Sequence, residues 1–388
     1  MSLSFISSQG FYNTTCGYCN SEERTSRKFY LNSITLTCQD YQDLIDRGWR
    51  RSGTCLYKPD LLDIKDNLFC NKKRLDANKF QASKSQRKVV NRFNRFVEGT
   101  YVPSEASVGD DGPSEKQSHV NGTGKTGKQV GKIFEIIKTI HEAEDREDYK
   151  HKFRIVFERS SFTQEKYQLY RKYQINIHKD PEDEVTKNGF RRFLVESPLQ
   201  YESSGVQNTS EYGSFHQCYF LDDKLIAIAV LDILPKCVSS VYFLYDPDFG
   251  FLQLGIYSAL REIALTKEYY NAGLEKLNWY YMGYYIHNCQ KMKYKGNYKP
   301  SELLDRDTYE WYPFEYCARL LDQSEYVSFS NPPNQTEDNN EKKDKENPKK
   351  YTSLLPPPGM LDPESVADNE IEDINVLLHD NNMILPYH

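Results

Sequence analysis

No stretch of about 18 consecutive apolar residues occurs in this 388-residue sequence, so no membrane-spanning helix is expected. The amino terminus, MSLSFISSQGFYNTTCGYC, has no basic segment followed by a sustained apolar one, so no secretory signal peptide is expected. Without export, the nine cysteines are expected as reduced thiols or metal ligands rather than disulfides, in the cytosol with access to the nucleus. Charge of one sign is lacking too: 50 Lys and Arg stand against 56 Asp and Glu. No whole-chain field marks a nucleic-acid binder, neither a membrane nor DNA is expected as partner, and local clusters have to be read instead. There is no second CxxC and no internal repeat. What is plentiful is tyrosine, 30 residues, whose hydroxyls need partners when buried and so imply polar clefts. A hydrophobic content of 38% with a mean hydropathy of -0.75 fits a real core under a generous polar surface.

Length suggests two domains with linkers, and composition separates four zones. Residues 1–100 are rich in Cys and Arg. Residues 101–131 are Gly/Ser/Asp-rich with almost no apolar residues, and are expected to be a disordered linker. Residues 132–325 hold most of the aromatic and aliphatic residues. Residues 326–388 form a polar tail expected to be largely disordered. In the third zone the spacing predicts strands at 152–159, 217–221, 225–233, 239–245 and 279–286, with helices over 164–178 and 255–268. This is a mixed α/β pattern. Strand, strand, helix, strand is also the core order of an acyl-CoA N-acetyltransferase-like fold, an order many α/β domains share.

Several clusters carry chemistry. Cys16 and Cys19 form a CxxC, two thiolates that can chelate one metal, with Cys70 as the nearest further candidate; zinc or an iron–sulfur cluster would suit. Gly48-Trp-Arg-Arg-Ser-Gly53 places Arg50 and Arg51 in a turn bounded by glycines. A helix opening at Ser83 would bury Val89, Phe93 and Phe96 and project Lys88, Arg92 and Arg95 together, a stripe suited to phosphates; a merely solvated basic face is the plainer reading. Gly122-Thr-Gly-Lys-Thr-Gly-Lys128 imitates a phosphate-binding loop. It lacks the preceding strand, and Gln129 stands where Ser or Thr is needed, so no nucleotide cofactor is expected. His287 follows a Tyr-rich strand in which alternation puts Tyr281 and Tyr285 on one face and Tyr284 on the other; structural packing is the plainer role for a lone His.

Together these segments resemble the eukaryotic arginyl-tRNA–protein transferases. The resemblance is carried by CGYC at Cys16–Cys19, DYQDLIDRGWRRSG at Asp40–Gly53, YKPDL at Tyr57–Leu61, RLDANKF at Arg74–Phe80 and SKSQRKVVNRFNRF at Ser83–Phe96. It continues in DILPKCVSSVYFLYDPDF at Asp232–Phe249, LGIYSALREIAL at Leu254–Leu265 and YYMGYYIHNCQKMKYKGNYKPSELLD at Tyr280–Asp305. It implies a Cys-bearing N-terminal domain and a C-terminal acetyltransferase-like domain similar to bacterial leucyl/phenylalanyl transferases. It also implies arginyl-tRNA as donor, and as acceptors proteins beginning with Asp, Glu or oxidised Cys, which are marked for ubiquitin-dependent degradation. Four thiols, the CxxC and an adjacent pair, go with an iron–sulfur cluster or zinc in this family. Here the pair would fall near Asn67 and Leu68, and only Cys70 is close by.

Chemistry then suggests roles. Arg50, Arg51, Lys84 and Arg87 are the cations for an acidic acceptor side chain, and Lys88 and Arg92 face tRNA phosphates. Asp232, Asp246 and Asp248 are carboxylates for the donor guanidinium. Ser258 would open a helix whose N–H groups meet a phosphate or the tRNA terminus. Tyr242, Tyr285 and His287 would orient the amine or relay its proton, completing a catalytic set with Asp232. Two rival readings are an acetyl-CoA-dependent N-acetyltransferase, which wants a fuller glycine loop than Gln253-Leu-Gly255, and a non-catalytic tRNA- or degron-binding protein.

Overall fold

Alternating apolar residues near the amino terminus build a small antiparallel sheet from β1 (Phe5–Thr14), β2 (Ser26–Thr35), β3 (Arg50–Ser52) and β4 (Cys55–Pro59), in the order β1-β2-β4-β3. Between β2 and β3 lies α1 (Cys38–Asp46), started by the Thr37 side chain, which accepts from the Asp40 N–H. The computed structural model describes residues 3–14, 26–59, 70–103, 134–207, 209, 211–324, 327–332, 375–377 and 384–386. The expected linker, apart from 101–103, and most of the expected tail lie outside these residues.

The chain next forms β5 (Cys70–Asp76) and α2 (Lys84–Glu98). A reciprocal capping box between Ser83 and Gln86 opens α2, and Gly99 at φ 96° closes it. There follow α3 (Ile136–Ile140), β6 (Phe153–Arg159), α4 (Gln164–Tyr173), which runs on as a π-helical turn to His178, and α5 (Lys187–Phe190). The central elements are β7 (Gly213–Leu221), β8 (Lys224–Ile233), β9 (Cys237–Tyr245), α6 (Leu254–Asn271) and β10 (Trp279–Ile286). The last are α7 (Gln290–Lys293), β11 (Ser301–Leu304), β12 (Trp311–Pro313) and α8 (Phe314–Leu321). The strands and helices expected in this region are all present; β7, β9 and α6 are longer than expected, whereas β6, β8, β10 and the α4 segment match to within a residue.

One eight-stranded sheet organises the molecule, in the order β12-β11-β5-β10-β9-β8-β7-β6. Strand β8 shows why it sits centrally. Ala227, Ala229 and Leu231 face a core shared with α2, α3 and α6, while Ile228 and Val230 face α4. Residues 1–100 do not stand apart from this sheet: β5 runs inside it, antiparallel to both β10 and β11. The small sheet and α1 pack through Phe29, Leu56, Tyr41 and Ile45 on Cys237 and Tyr281. The protein is thus mixed α/β, with a large sheet covered on both faces.

Candidate active site at the divergence of two parallel strands

All the pairings reported in the large sheet are antiparallel except that of β9 with β10. These two pair only at Trp279–Cys237, Tyr280–Val238 and Tyr281–Ser239, then part, although both run on for several residues. Crevices beyond the carboxyl ends of such strands are where α/β proteins place ligands. Gly283, at φ 75°, makes the bend in β10, and the ladder with β5 shifts register between Tyr281 and Tyr284. The expected alternation of tyrosines is therefore reset: Tyr281 and Tyr284 both face the small sheet, where Tyr284 donates to the Gly48 carbonyl at 2.9 Å and Tyr281 bonds Asp46.

Arg50 occupies the divergence. Its Nη2 donates to the carbonyls of Ser240 (3.2 Å) and Val241 (3.3 Å), and a Cβ on Gly283 would collide with its guanidinium. Arg50 and Arg51 do not share a turn as expected. They lie in β3, so successive side chains leave on opposite faces. Arg51 is buried and grips Asp232, Nε to Oδ2 at 2.8 Å and Nη2 to Oδ1 at 2.5 Å, and also reaches Ser214 Oγ at 2.7 Å. Both partners are essentially inaccessible, at 4% and 0% exposure, so neither the acceptor role expected of Arg51 nor the catalytic role expected of Asp232 fits: they join the two sheets.

Ser258 is likewise not at a helix start. Helix α6 begins at Leu254, and Ser258 sits one turn in, buried, donating to Glu262 Oε1 at 2.6 Å. Tyr280 donates to the other Glu262 oxygen at 2.7 Å, and the Tyr219 hydroxyl lies 3.2 Å from Ser258 Oγ. Burial pushes the Glu262 carboxyl up, a protonation pressure that sequence spacing could not reveal. Tyr298, also behind the divergence, buries a hydroxyl that has no partner among the described residues.

At the end of β9, Asp246 caps a 3-10 turn and lies between Lys172 Nζ (2.5 Å) and Lys224 Nζ (2.6 Å). Burial acts to raise its pKa, and the two lysines outweigh it and hold the carboxyl below its usual range. Asp246 is thus already paired and enclosed, whereas Asp248, 2.7 Å from Lys172, is exposed. Tyr242 leaves β9 on the α4 face, its hydroxyl 3.0 Å from Gln174 Oε1 and 3.1 Å from His178 Nε2.

At the end of β10 the tyrosine–histidine pair does come together. The Tyr285 hydroxyl is 3.0 Å from His287 Nδ1, and His287 Nε2 is 2.8 Å from Asp322 Oδ1. In the neutral ring, the carboxylate on Nε2 holds the proton there, and Nδ1 accepts from Tyr285. This chain opens on a cleft of about 500 Å³ that His287 and Asp322 line with Asn288, Gln290 and Lys293. Asp322 was invisible to spacing, being 35 residues away.

On α2 the exposed stripe is Lys84, Lys88, Asn91 and Arg95, while Arg92 is turned inward to Gln253 Oε1 at 2.5 Å and Arg87 lines a separate cleft with Phe80 and Lys267. Cys16 and Cys19 lie outside the described residues. Of the expected thiol set only Cys70 is described, half-buried at the head of β5, and the described residues hold no group of three or more metal-type side chains. The resemblance puts the second thiol pair near Asn67 and Leu68, and Cys16, Cys19 and Cys70 alone do not fill a four-thiolate site.

The comparisons with known proteins bear on what this geometry serves. Residues 14–88 match the family profile "Arginine-tRNA-protein transferase, N terminus" and residues 165–305 its C-terminal counterpart. The chain is 33% identical to arginyl-tRNA–protein transferase 1 of Drosophila melanogaster, over 86% of this chain and 87% of the relative. It is 30% identical to arginyl-tRNA–protein transferase 1 of Arabidopsis thaliana, over 84% and 76%. An aspartate/glutamate leucyltransferase of Campylobacter jejuni is 25% identical over 74% and 92%. These relatives are aminoacyltransferases. The chain belongs to the arginyl-tRNA–protein transferase family. No helix among the described residues is long and apolar enough to cross a membrane.

Proposed function

We propose that the protein transfers arginine from arginyl-tRNA to the α-amino group of proteins whose first residue is Asp, Glu or oxidised Cys, marking them for ubiquitin-dependent degradation. Arginyl transfer from tRNA to protein follows from family membership across 84–86% of the chain. The acidic preference and the degradative outcome are this reading's own extension. An acetyltransferase-like core is supported by the succession β8, β9, α6, β10 and by the divergence of β9 from β10.

The donor ester is already activated, so placement and proton traffic can supply most of the rate. The neutral α-amine attacks the ester carbonyl carbon and the new C–N bond forms. The C–O bond to the ribose then breaks, and the ribose hydroxyl takes up the proton the amine releases. His287 and Asp322, which line the cleft, suit that traffic: His287 exchanges the proton, Tyr285 buried behind it holds the imidazole in place through Nδ1, and Asp322 steadies the imidazolium. The observation carrying this role is the continuous 3.0 Å and 2.8 Å contacts at the mouth of an open cleft. Exposed Asp248 is the remaining carboxylate for the donor guanidinium, and Lys84, Lys88 and Arg95 suit the tRNA phosphates.

The test incubates the protein with arginyl-tRNA and peptides beginning with Asp, Glu or Ala. Labelling of the first two only is expected; labelling of none rejects transfer, and equal labelling of all three rejects the acidic preference. In H287A, kcat should fall roughly 100-fold or more, as removal of a positioned acid–base group does, with KM for arginyl-tRNA little changed.

A further inference from the structure

The cations expected to read an acidic acceptor are engaged elsewhere. Arg51 is locked to Asp232, Arg50 reaches strand carbonyls, and Lys84 and Arg87 belong to α2, across the large sheet from α1. A different cationic pocket lies at the seam between the sheets. Lys58 enters it from β4 and Lys72 from β5, Arg47 and Arg306 complete the charged lining, and Tyr284 forms a wall. We propose that this pocket seats the carboxylate of the acceptor's first side chain, with Lys58 and Lys72 setting the preference for Asp and Glu. The proposal rests on the reading of the protein as a transferase acting on protein amino termini.

The argument is one of unmet charge. Lys72 is 2% exposed and Lys58 7% exposed. Among the described residues Lys72 Nζ donates to the Trp49 carbonyl at 3.2 Å and Lys58 Nζ to the Tyr309 hydroxyl at 3.0 Å. An ammonium carries three donors, and no described carboxylate pairs with either. Lys295 adds a third buried amine, donating to the Tyr284 carbonyl at 2.7 Å. Asn71, also in the lining, buries an amide nitrogen that has no acceptor among the described residues. Taking such cations from water without a counter-ion is unfavourable, and burial draws Lys58 and Lys295 down to about 7. An arriving carboxylate reverses that cost. The free space, about 30 Å³, suits one small planar anion rather than a sugar–phosphate backbone. Tyr284, a wall of this pocket, belongs to β10, the strand that also carries Tyr285 and leads to His287.

The test compares peptides beginning with Asp and with Asn, in wild type, K58M and K72M. Two quantities are read: the ratio of kcat/KM in arginyl transfer, and the ratio of binding affinities measured without tRNA. Each substitution is expected to lower both Asp-over-Asn ratios by roughly 10- to 100-fold, the worth of a hydrogen bond to a charged group. KM for arginyl-tRNA should not move. Methionine fills the lysine volume without charge, so the thermal midpoint should hold or rise, which separates the effect from misfolding. Ratios that survive in folded K58M and K72M overturn the pocket, as does a rise in KM for arginyl-tRNA instead. If wild type prefers the Asp peptide in binding but transfers nothing, the transferase reading fails while the pocket stands. Segment 60–69 carries Asp60, Asp63 and Asp66, so D60N/D63N/D66N serves as control. It should retain the preference; losing it, with K72M adding nothing, would assign the counter-ion to the chain itself and end the proposal.

Discussion

At the scale of single residues, the buried polar groups that are fully paired decide stability. Arg51 and Asp232 form a bidentate pair with almost no solvent contact. Such a pair is weakly stabilising as a whole, yet removing one partner strands the other charge. R51M should therefore cost about 3–5 kcal/mol in denaturant unfolding, and R51M/D232L should recover most of it; equal losses would mean that the pair's contribution is packing alone. His216 offers a pH readout. Its Nε2 faces the Leu194 carbonyl at 2.8 Å and its Nδ1 faces Lys166 Nζ at 2.9 Å, an arrangement that requires the neutral ring. Burial, then the charge of Lys166, pulls its pKa from 6.5 to about 4. Between those values the unfolded chain binds a proton that the folded chain excludes. Stability present above pH 6.5 is thus lost as pH falls through 4, by at most about 3 kcal/mol. H216N, which cannot take up that proton, should show a shallower loss over this window in urea midpoints. Parallel curves would refute the assignment.

At the scale of elements, apolar patterning made the strands at 225–233, 239–245 and 279–286 legible, because both faces of the sheet are covered and their residues are nearly all apolar. Helix α2 was legible from its apolar stripe. Strand β5 was not. Its Asn71, Lys72, Lys73 and Arg74 look like surface, yet backbone pairing on both sides places them inside, with Lys73 donating to the Tyr298 carbonyl at 3.2 Å. The same blindness hid Lys58 and Lys72 as candidates, since a buried unpaired lysine has no sequence signature, and hid Asp322, whose role depends on α8 folding back on Tyr285. The bulge at Gly283 also escaped reading, and with it the true facing of Tyr284. It leads to an expectation at this scale. In G283A a side chain would meet both an unfavourable φ of 75° and the Arg50 guanidinium. The variant should lose about 1–3 kcal/mol in chemical denaturation. It should also lose transfer activity beyond what that instability explains, because Arg50 must leave the divergence. A G283A enzyme of wild-type stability and rate would show that the bend is dispensable.

At the scale of the whole molecule, the two halves of the chain are woven rather than joined. Strand β5 separates β10 from β11, so without it β10 becomes an edge and the β11–β12 pair loses its attachment. Its Arg74 lies between the rings of Trp279 and Trp311, at 3.8 and 4.1 Å from their centroids, and its Nε meets Glu302 at 2.8 Å. Helix α2, which follows, buries Val89, Val90, Phe93 and Val97 in the main core, with Phe93 stacked 4.0 Å from Tyr257. Residues 132–325 alone would therefore expose that core and two strand edges. This fragment should show no cooperative unfolding transition. A peptide spanning residues 70–100 should restore one, since it supplies both the missing strand and the missing helix. Trp279 and Trp311 are the only tryptophans in the fragment, so the shift of their emission on adding the peptide reports directly on the seating of Arg74 between them. Cooperative unfolding of 132–325 by itself, with emission indifferent to the peptide, would mean that the sheet tolerates the loss of its inner strand and that the N-terminal residues serve the site alone.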